Sequence, residues 1–218
     1  MSGVAENVAA VRERIETACR RAGRDPSAVR LVAVTKTVDP SLVQEAAEVG
    51  VEDFGENYVQ ELEGKRGAAP RARWHFLGRV QSNKAHRVAK LADMVQTVEP
   101  GRAWRRLASA AEDSPIPCLI QVDFTGERVG VEAAGARAFL DEVVAAGGLD
   151  AHGLMTVPPL GEDPRPYFVR LRELRDELRE RHPGLSELSM GMSADYEEAV
   201  VEGATMVRVG TAIFGPRP

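Results

Sequence analysis

Val4, Val8, Val11, Ile15 and Cys19 recur at intervals of three and four, one face of a helix that stops before Gly23. The period then changes. Short β-prone runs follow at residues 31–36, 52–55, 73–78, 94–98, 117–124, 152–157, 187–192 and 206–214. Between them lie helical stretches: SLVQEAAEVG after Pro40, then ENYVQELEGK, NKAHRVAKLAD, GRAWRRLASAAED, AAGARAFLDEVVAAGG and ADYEEAVVEG. The longest helix is predicted from Asp163-Pro164, a cap residue followed by the proline that suits a first helical position. Its apolar positions Phe168, Leu171, Leu174 and Leu178 share a face, and His182-Pro183-Gly184 stops it.

Strands alternating with helices predict a parallel sheet covered by helices. Eight such units suit a closed (β/α)8 barrel of the TIM type, with an extra helix at the N-terminus. The open doubly wound alternative lacks a GxGxxG after the first strand. No linker or low-complexity segment divides the chain, so a single domain over residues 1–218 is expected.

Composition narrows the function classes. Hydrophobic residues make up 44% and charged ones 28%, enough to bury a sizeable core. A net charge of −5 argues against a nucleic-acid surface, which needs a basic field. Cys19 and Cys118 show no metal-ligand or CxxC spacing and are expected to be reduced. No apolar run approaches a membrane span, and the charged N-terminus lacks a secretory apolar core, so the cytoplasm is the expected location. Of 28 Lys and Arg residues only four are lysines: Lys36, Lys65, Lys84 and Lys90. One of them closes the apolar run LVAVTK.

In a barrel the C-terminal strand ends carry the chemistry. Lys36 stands at the first such end, where apolar walls would favour the uncharged, nucleophilic amine. SMGMS (189–193) and RVGTAIFG (208–215) close the last two strands, the usual barrel phosphate position. Ser193, Gly210 and Thr211 there read as a phosphate cup, although Ser193 alone could be a helix cap and Gly210-Thr211 an ordinary turn. An amine at one end and a phosphate cup at the other describe a site for pyridoxal 5′-phosphate (PLP) or for a phosphosugar aldehyde. Arg208 is then a candidate partner for a pyridine nitrogen, one that leaves the ring unprotonated and a weak electron sink. It could equally pair with a barrel carboxylate such as Glu56.

LVAVTKT, FGENYVQE, WHFLGRVQSNK, GLMTV, LSMGMSADYEEAV and GATMVRVGTAIFG occur in this order along nearly the whole chain. In these segments the sequence closely resembles the pyridoxal-phosphate homeostasis protein family. The resemblance implies a single barrel like the N-terminal domain of alanine racemase, the type III fold of PLP proteins, with the cofactor as a Schiff base on Lys36. It further implies phosphate contacts from the segments of Met192, Ser193, Gly210 and Thr211, Arg208 at the ring nitrogen, and Asn57 and His75 lining the pocket. One departure stands out: VDFTGERVGVE is shorter than the family's usual loop and places Arg128 where the family has a lysine, leaving Lys84 as a nearby cation.

The resemblance implies a carrier that buffers PLP and delivers it to apo-enzymes, without robust catalysis and with no metal. The alternative is a PLP-dependent racemase. Racemisation needs acid/base groups on both faces of a carbanion. The last strand is followed only by residues 215–218, which leaves no room for the second domain of the related racemases, so a monomer is expected. Tyr58 is the one substitute within reach, and packing between helix and barrel is its expected role.

Overall fold

A computed structural model of the chain describes residues 3–111, 114–126 and 129–216. Its strands, all parallel, are β1 (Arg30–Val34), β2 (Asp53–Glu56), β3 (Arg73–Phe76), β4 (Met94–Val98), β5 (Ile116–Asp123), β6 (Val131–Glu132), β7 (Leu149–Met155), β8 (Glu187–Ser189) and β9 (Met206–Val209). The order β4-β3-β2-β1-β9-β8-β7-β5 closes through a further β4–β5 pairing, so every strand but the short β6 belongs to one barrel. The helices are α1 (Val4–Arg21), α2 (Pro40–Glu48), α3 (Val59–Lys65), α4 (Ala85–Leu91), α5 (Arg102–Ala110), α6 (Ala136–Ala146), α7 (Arg165–Arg179), α8 (Tyr196–Val201) and α9 (Thr211–Phe214). The (β/α)8 expectation stands, extra N-terminal helix included.

Alternation along each strand divides the apolar residues into two shells. Val32, Met94, Leu119, Met155 and Met206 pack inside the barrel. Their neighbours Ala33, Val95, Ile120, Leu154 and Val207 point outward and join the larger core beneath the helices. Trp74 and Trp104 belong to that outer core: Trp74 stacks on Phe54 at 5.3 Å, and Trp104 meets Phe139 edge-on at 5.7 Å.

α9 is a single turn, too short to cover the barrel seam. α1 lies over it, against α8 and α2. Asn7 Nδ2 donates to Ile213 O (2.7 Å), and Arg24 donates to Ala204 O (2.8 Å). The apolar face read from the first nineteen residues thus completes the outer ring.

Several element ends differ from the sequence reading, and two of them bear on the strand ends read as chemically important. β1 stops at Val34, two residues short of Lys36. The apolar run 206–214 is divided, with β9 ending at Val209 and a helical turn following. Side-chain bonding explains the division: the Gly210 and Ala212 amides donate to Ser193 Oγ, and the Ile213 and Phe214 amides fold back onto Gly210 O.

Candidate functional site

Lys36 follows the inward positions Val32 and Val34 of β1. Val32 is fully buried, whereas Val34 is half-buried, so the barrel is open at the end Lys36 occupies. Both peptides flanking Lys36 are tied down. Thr35 N donates to Gly55 O (3.0 Å) and Thr35 Oγ1 to Glu56 Oε1 (2.6 Å). Thr35 O accepts from Lys65 Nζ (2.6 Å). On the other side Thr37 N donates to Glu61 Oε2 (2.8 Å). Thr37 has φ +63°, a left-handed conformation that costs a β-branched residue about 1–2 kcal/mol.

The hub of this clamp is Lys65, 5% exposed. Besides Thr35 O it reaches Glu56 Oε1 (2.8 Å) and Glu61 Oε2 (2.6 Å). Three acceptors around an ammonium group use all of its protons. Glu56 is fully buried, and its Oε2 has no hydrogen-bond partner. Burial pushes its carboxyl above the ordinary range, against the bonds from Lys65 and Thr35. Burial acts on Glu61 in the same sense but is outweighed by Lys65 and the Thr37 amide, which hold that carboxyl low. Sequence reasoning passed over Lys65 as one more helix residue. Its scarcity in an arginine-rich chain and the Glu61–Lys65 spacing of four were the available signals.

Tyr58 departs from its expected place. It is 49% exposed rather than packed between helix and barrel, and Lys36 Nζ lies 5.4 Å from its ring centroid. Val59, the first residue of α3, takes the buried position instead. Asn57 is half-buried. Its carbonyl packs on Gly78, where any Cβ would stand 1.9 Å from Asn57 O, and this contact brings the loops after β2 and β3 together.

Arg208 points into the barrel from β9 and is buried, with Nη1 donating to Ser189 Oγ (2.7 Å) and Nη2 to Thr156 O (2.9 Å). Glu56, its carboxylate candidate from sequence, faces outward to Lys65. Burial draws the guanidinium down to about 10, with Asp195 pulling the other way; it stays a cation at neutral pH. His75 is sealed in the same interior, with Nε2 2.8 Å from Asp53 Oδ1 and Nδ1 2.9 Å from Gln96 Nε2.

The loops after β8 and β9 meet at Ser193, whose Oγ accepts from the amides of Gly210 and Ala212 at 3.3 Å each. Gly191 has φ +89°, and a Cβ there would stand 2.5 Å from Ala199 Cβ and 2.9 Å from Tyr196 Cα. Gly210 has φ −117°, which any residue can adopt. Met192 and Thr211 are exposed beside this junction. The Met192 amide donates to Asp195 Oδ1 (2.5 Å), as in a helix capping box. Ser193, Gly210 and Thr211 are therefore neighbours, as read from sequence.

Arg128 lies outside the described residues. Lys84 is half-buried just before α4. His152 pairs with Asp150 and His182 with Asp141, both at 2.7 Å, and no metal-ligand cluster occurs among the described residues. Cys19 and Cys118 are buried and unbonded to each other. No helix among the described residues is long and apolar enough to cross a membrane.

Known proteins share this fold along nearly the whole chain. The family described as "Alanine racemase, N-terminal domain" matches residues 7–218. The pyridoxal phosphate homeostasis protein of Pseudomonas aeruginosa is 42% identical over 100% of this chain and 97% of its own. That of Aquifex aeolicus is 39% identical over 97% of each. Among solved structures, PipY of Synechococcus elongatus with PLP bound is 34% identical, with a TM-score of 0.86 over 97% of this chain and 100% of its own. Alanine racemase of Corynebacterium glutamicum shares the fold at 17% identity, with a TM-score of 0.73 over 96% of this chain and 61% of its own.

Proposed function

Because the chain belongs to the pyridoxal phosphate homeostasis protein family, we propose that it holds PLP in the barrel mouth as a Schiff base on Lys36 and passes it to apo-enzymes. The observation that carries this reading is the setting of Lys36: an amine at the open barrel end whose flanking peptides are both fixed through Lys65. An amine held this way loses little freedom on attacking an aldehyde. When bound, the cofactor supplies that aldehyde and an electron-accepting ring.

The chain's own residues then divide the work. The Met192–Ser193 and Gly210–Thr211 segments take the phosphate through the amides and hydroxyls of Ser193 and Thr211, with Gly191 allowing the tight turn between β8 and α8. Asn57 lines the mouth. Arg208 would face the ring nitrogen; a guanidinium donates hydrogen bonds but holds its proton far more tightly than a pyridinium, so that nitrogen would stay unprotonated. That favours storage over turnover and supports a carrier without robust catalysis. His75 acts from beneath, since both its ring nitrogens are already engaged. The chain works as one PLP-binding domain, monomeric and cytoplasmic, and its net charge of −5 gives nucleic acid no basic footprint.

The test is direct. PLP is added, the product is reduced with borohydride, and the modified lysine is mapped by peptide mass spectrometry. A pyridoxyl group on Lys36, and its loss together with the visible band in Lys36→Ala, is the expected result. Label on Lys84 or Lys90 with Lys36 unmodified would overturn the assignment. The racemase alternative draws on the position of Tyr58 beside Lys36 Nζ. Alanine racemisation that disappears in Tyr58→Phe would select it; no turnover in the loaded wild type rejects it.

A further inference from the structure

Beneath the mouth, a polar chain crosses the barrel interior from β9 to β2. Arg208 Nη1 donates to Ser189 Oγ (2.7 Å), and Ser189 Oγ lies 2.6 Å from Gln96 Oε1. Gln96 Nε2 is 2.9 Å from His75 Nδ1, and His75 Nε2 is 2.8 Å from Asp53 Oδ1. Arg73 Nη2 donates to Asp53 Oδ2 at 2.8 Å and ends the chain. Ser189, Gln96, His75 and Asp53 are all buried, each on an inward strand position.

The two ends dictate the direction of every link. A guanidinium has only donors, so Ser189 Oγ accepts from Arg208 and sends its own proton to Gln96 Oε1. The Gln96 amide group then faces His75 with N–H, which requires Nδ1 to be bare. The imidazole proton sits on Nε2 and goes to Asp53, a carboxylate that accepts only. Reversing Gln96 would set its N–H against Ser189 and its oxygen against the Nδ1 lone pair, leaving the Ser189 proton without an acceptor. The chain has one satisfied arrangement.

We infer that Gln96 is a positioning residue for Arg208. Acting through the Ser189 hydroxyl, it fixes the plane of the guanidinium and hence where the remaining N–H groups of Arg208 point in the cofactor site. Thr156 O holds Nη2 and Ser189 holds Nη1, so the planar fork is fixed at two points. With one point lost it pivots about the other. The inference rests on the PLP reading above, and its test separates the two.

The variants are Gln96→Leu, Ser189→Ala and Ser189→Thr, each also made with Arg208→Gln. The readouts are PLP affinity by fluorescence titration, the absorption maximum of the bound cofactor, and the thermal midpoint. Losing one link of a buried hydrogen-bond chain should weaken PLP binding roughly three- to tenfold in Gln96→Leu and Ser189→Ala. The absorption maximum should move with it, and Ser189→Thr, which keeps the hydroxyl, should restore both. In the Arg208→Gln background neither substitution should change affinity or band further. Wild-type affinity and band in Ser189→Ala overturns the inference, as does a loss of equal size with and without Arg208, which would mark a purely structural role. If Gln96→Leu fails to fold, Ser189→Ala decides, since it removes a single oxygen. Nitrogen NMR of the apoprotein at about pH 8, where imidazole is ordinarily neutral, tests the chain without cofactor. The His75 proton is expected on Nε2; a proton on Nδ1 overturns the direction of the chain. Wild-type protein that binds no PLP would defeat the proposed function while this NMR result stands or falls by itself.

Discussion

Lys65→Met tests whether the buried ammonium group holds the peptides around Lys36. Methionine matches the length and flexibility of lysine, so the substitution removes charge and hydrogen bonds with little change in packing. Three bonds of 2.6–2.8 Å are lost, to Thr35 O, Glu56 Oε1 and Glu61 Oε2. The dominant cost is the fully buried Glu56 carboxylate left without its cation, and breaking a buried pair from one side costs about 3–5 kcal/mol. Glu56 already takes up protons more readily than an ordinary carboxyl, so it relieves part of that cost by neutralising, and the expected loss at neutral pH is about 3 kcal/mol. Urea unfolding should show it as a midpoint lower by roughly 1–1.5 M. The pH dependence has a definite sign. A carboxyl whose folded pKa is raised binds protons more tightly in the folded state, so its penalty grows as pH rises above the unfolded value and levels off above the folded one. The difference between variant and wild type should therefore be small near about pH 4 and grow as pH rises toward neutrality. Glu56→Gln in the Lys65→Met background should recover about half of the loss or more, because no buried charge then remains. A loss below about 1 kcal/mol, or a double variant no more stable than Lys65→Met, would refute the reasoning.

Two further predictions concern the barrel interior and the proposed phosphate loop. Burial opposes ionisation of Asp53, but His75 and Arg73 outweigh it and hold its carboxyl low, so its contribution is present above the unfolded pKa and is lost as pH falls through the folded one. Acid unfolding of Asp53→Asn should accordingly converge with wild type at low pH while lying about 2 kcal/mol below it at neutrality, and parallel curves would contradict the pairing. Gly191→Ala should lose about 2 kcal/mol of stability in urea, since its Cβ would press on Ala199 and Tyr196 at a positive φ. Its PLP affinity should fall by more than its affinity for unphosphorylated pyridoxal, and equal losses would dissociate this turn from phosphate binding.

Periodicity exposed the barrel because each strand must present one face inward and the other to a helix, and Val32/Ala33 or Leu119/Ile120 show that alternation in the outcome. Lys36 was legible for the same reason: an apolar strand ending on one of four lysines invites an explanation. The clamp around it was not. Thr35, Glu56, Glu61 and Lys65 converge from β1, β2 and α3, and the ordinary look of ENYVQELEGK conceals a lysine that points inward. Tyr58 shows the opposite error. One residue before the helix start, it faces solvent while Val59 takes the core position, and a boundary shift of one residue reverses such a placement. The proposed phosphate loop was read from small residues at neighbouring strand ends. Its actual joint, Ser193 Oγ bridging the Gly210 and Ala212 amides, depends on the helical turn that replaces the predicted end of the last strand.

The polar chain lies inside the barrel and the lysine clamp outside it, and alternation along β2 explains why both can exist. On β2, Asp53 points inward to His75 while Glu56 points outward to Lys65, so one four-residue strand serves both networks. A buried carboxylate left unpaired is costly, and each of these two is matched by cations of its own, Arg73 for one and Lys65 for the other. The clamp reaches Thr35 and Thr37 on either side of Lys36, and the polar chain ends on Arg208 itself through Ser189. Rigid support of this kind fixes the ends of a ligand without supplying a mobile acid or base. Among the described residues, the interior groups His75, Gln96 and Ser189 are all held in hydrogen bonds, an arrangement suited to holding a ligand in place.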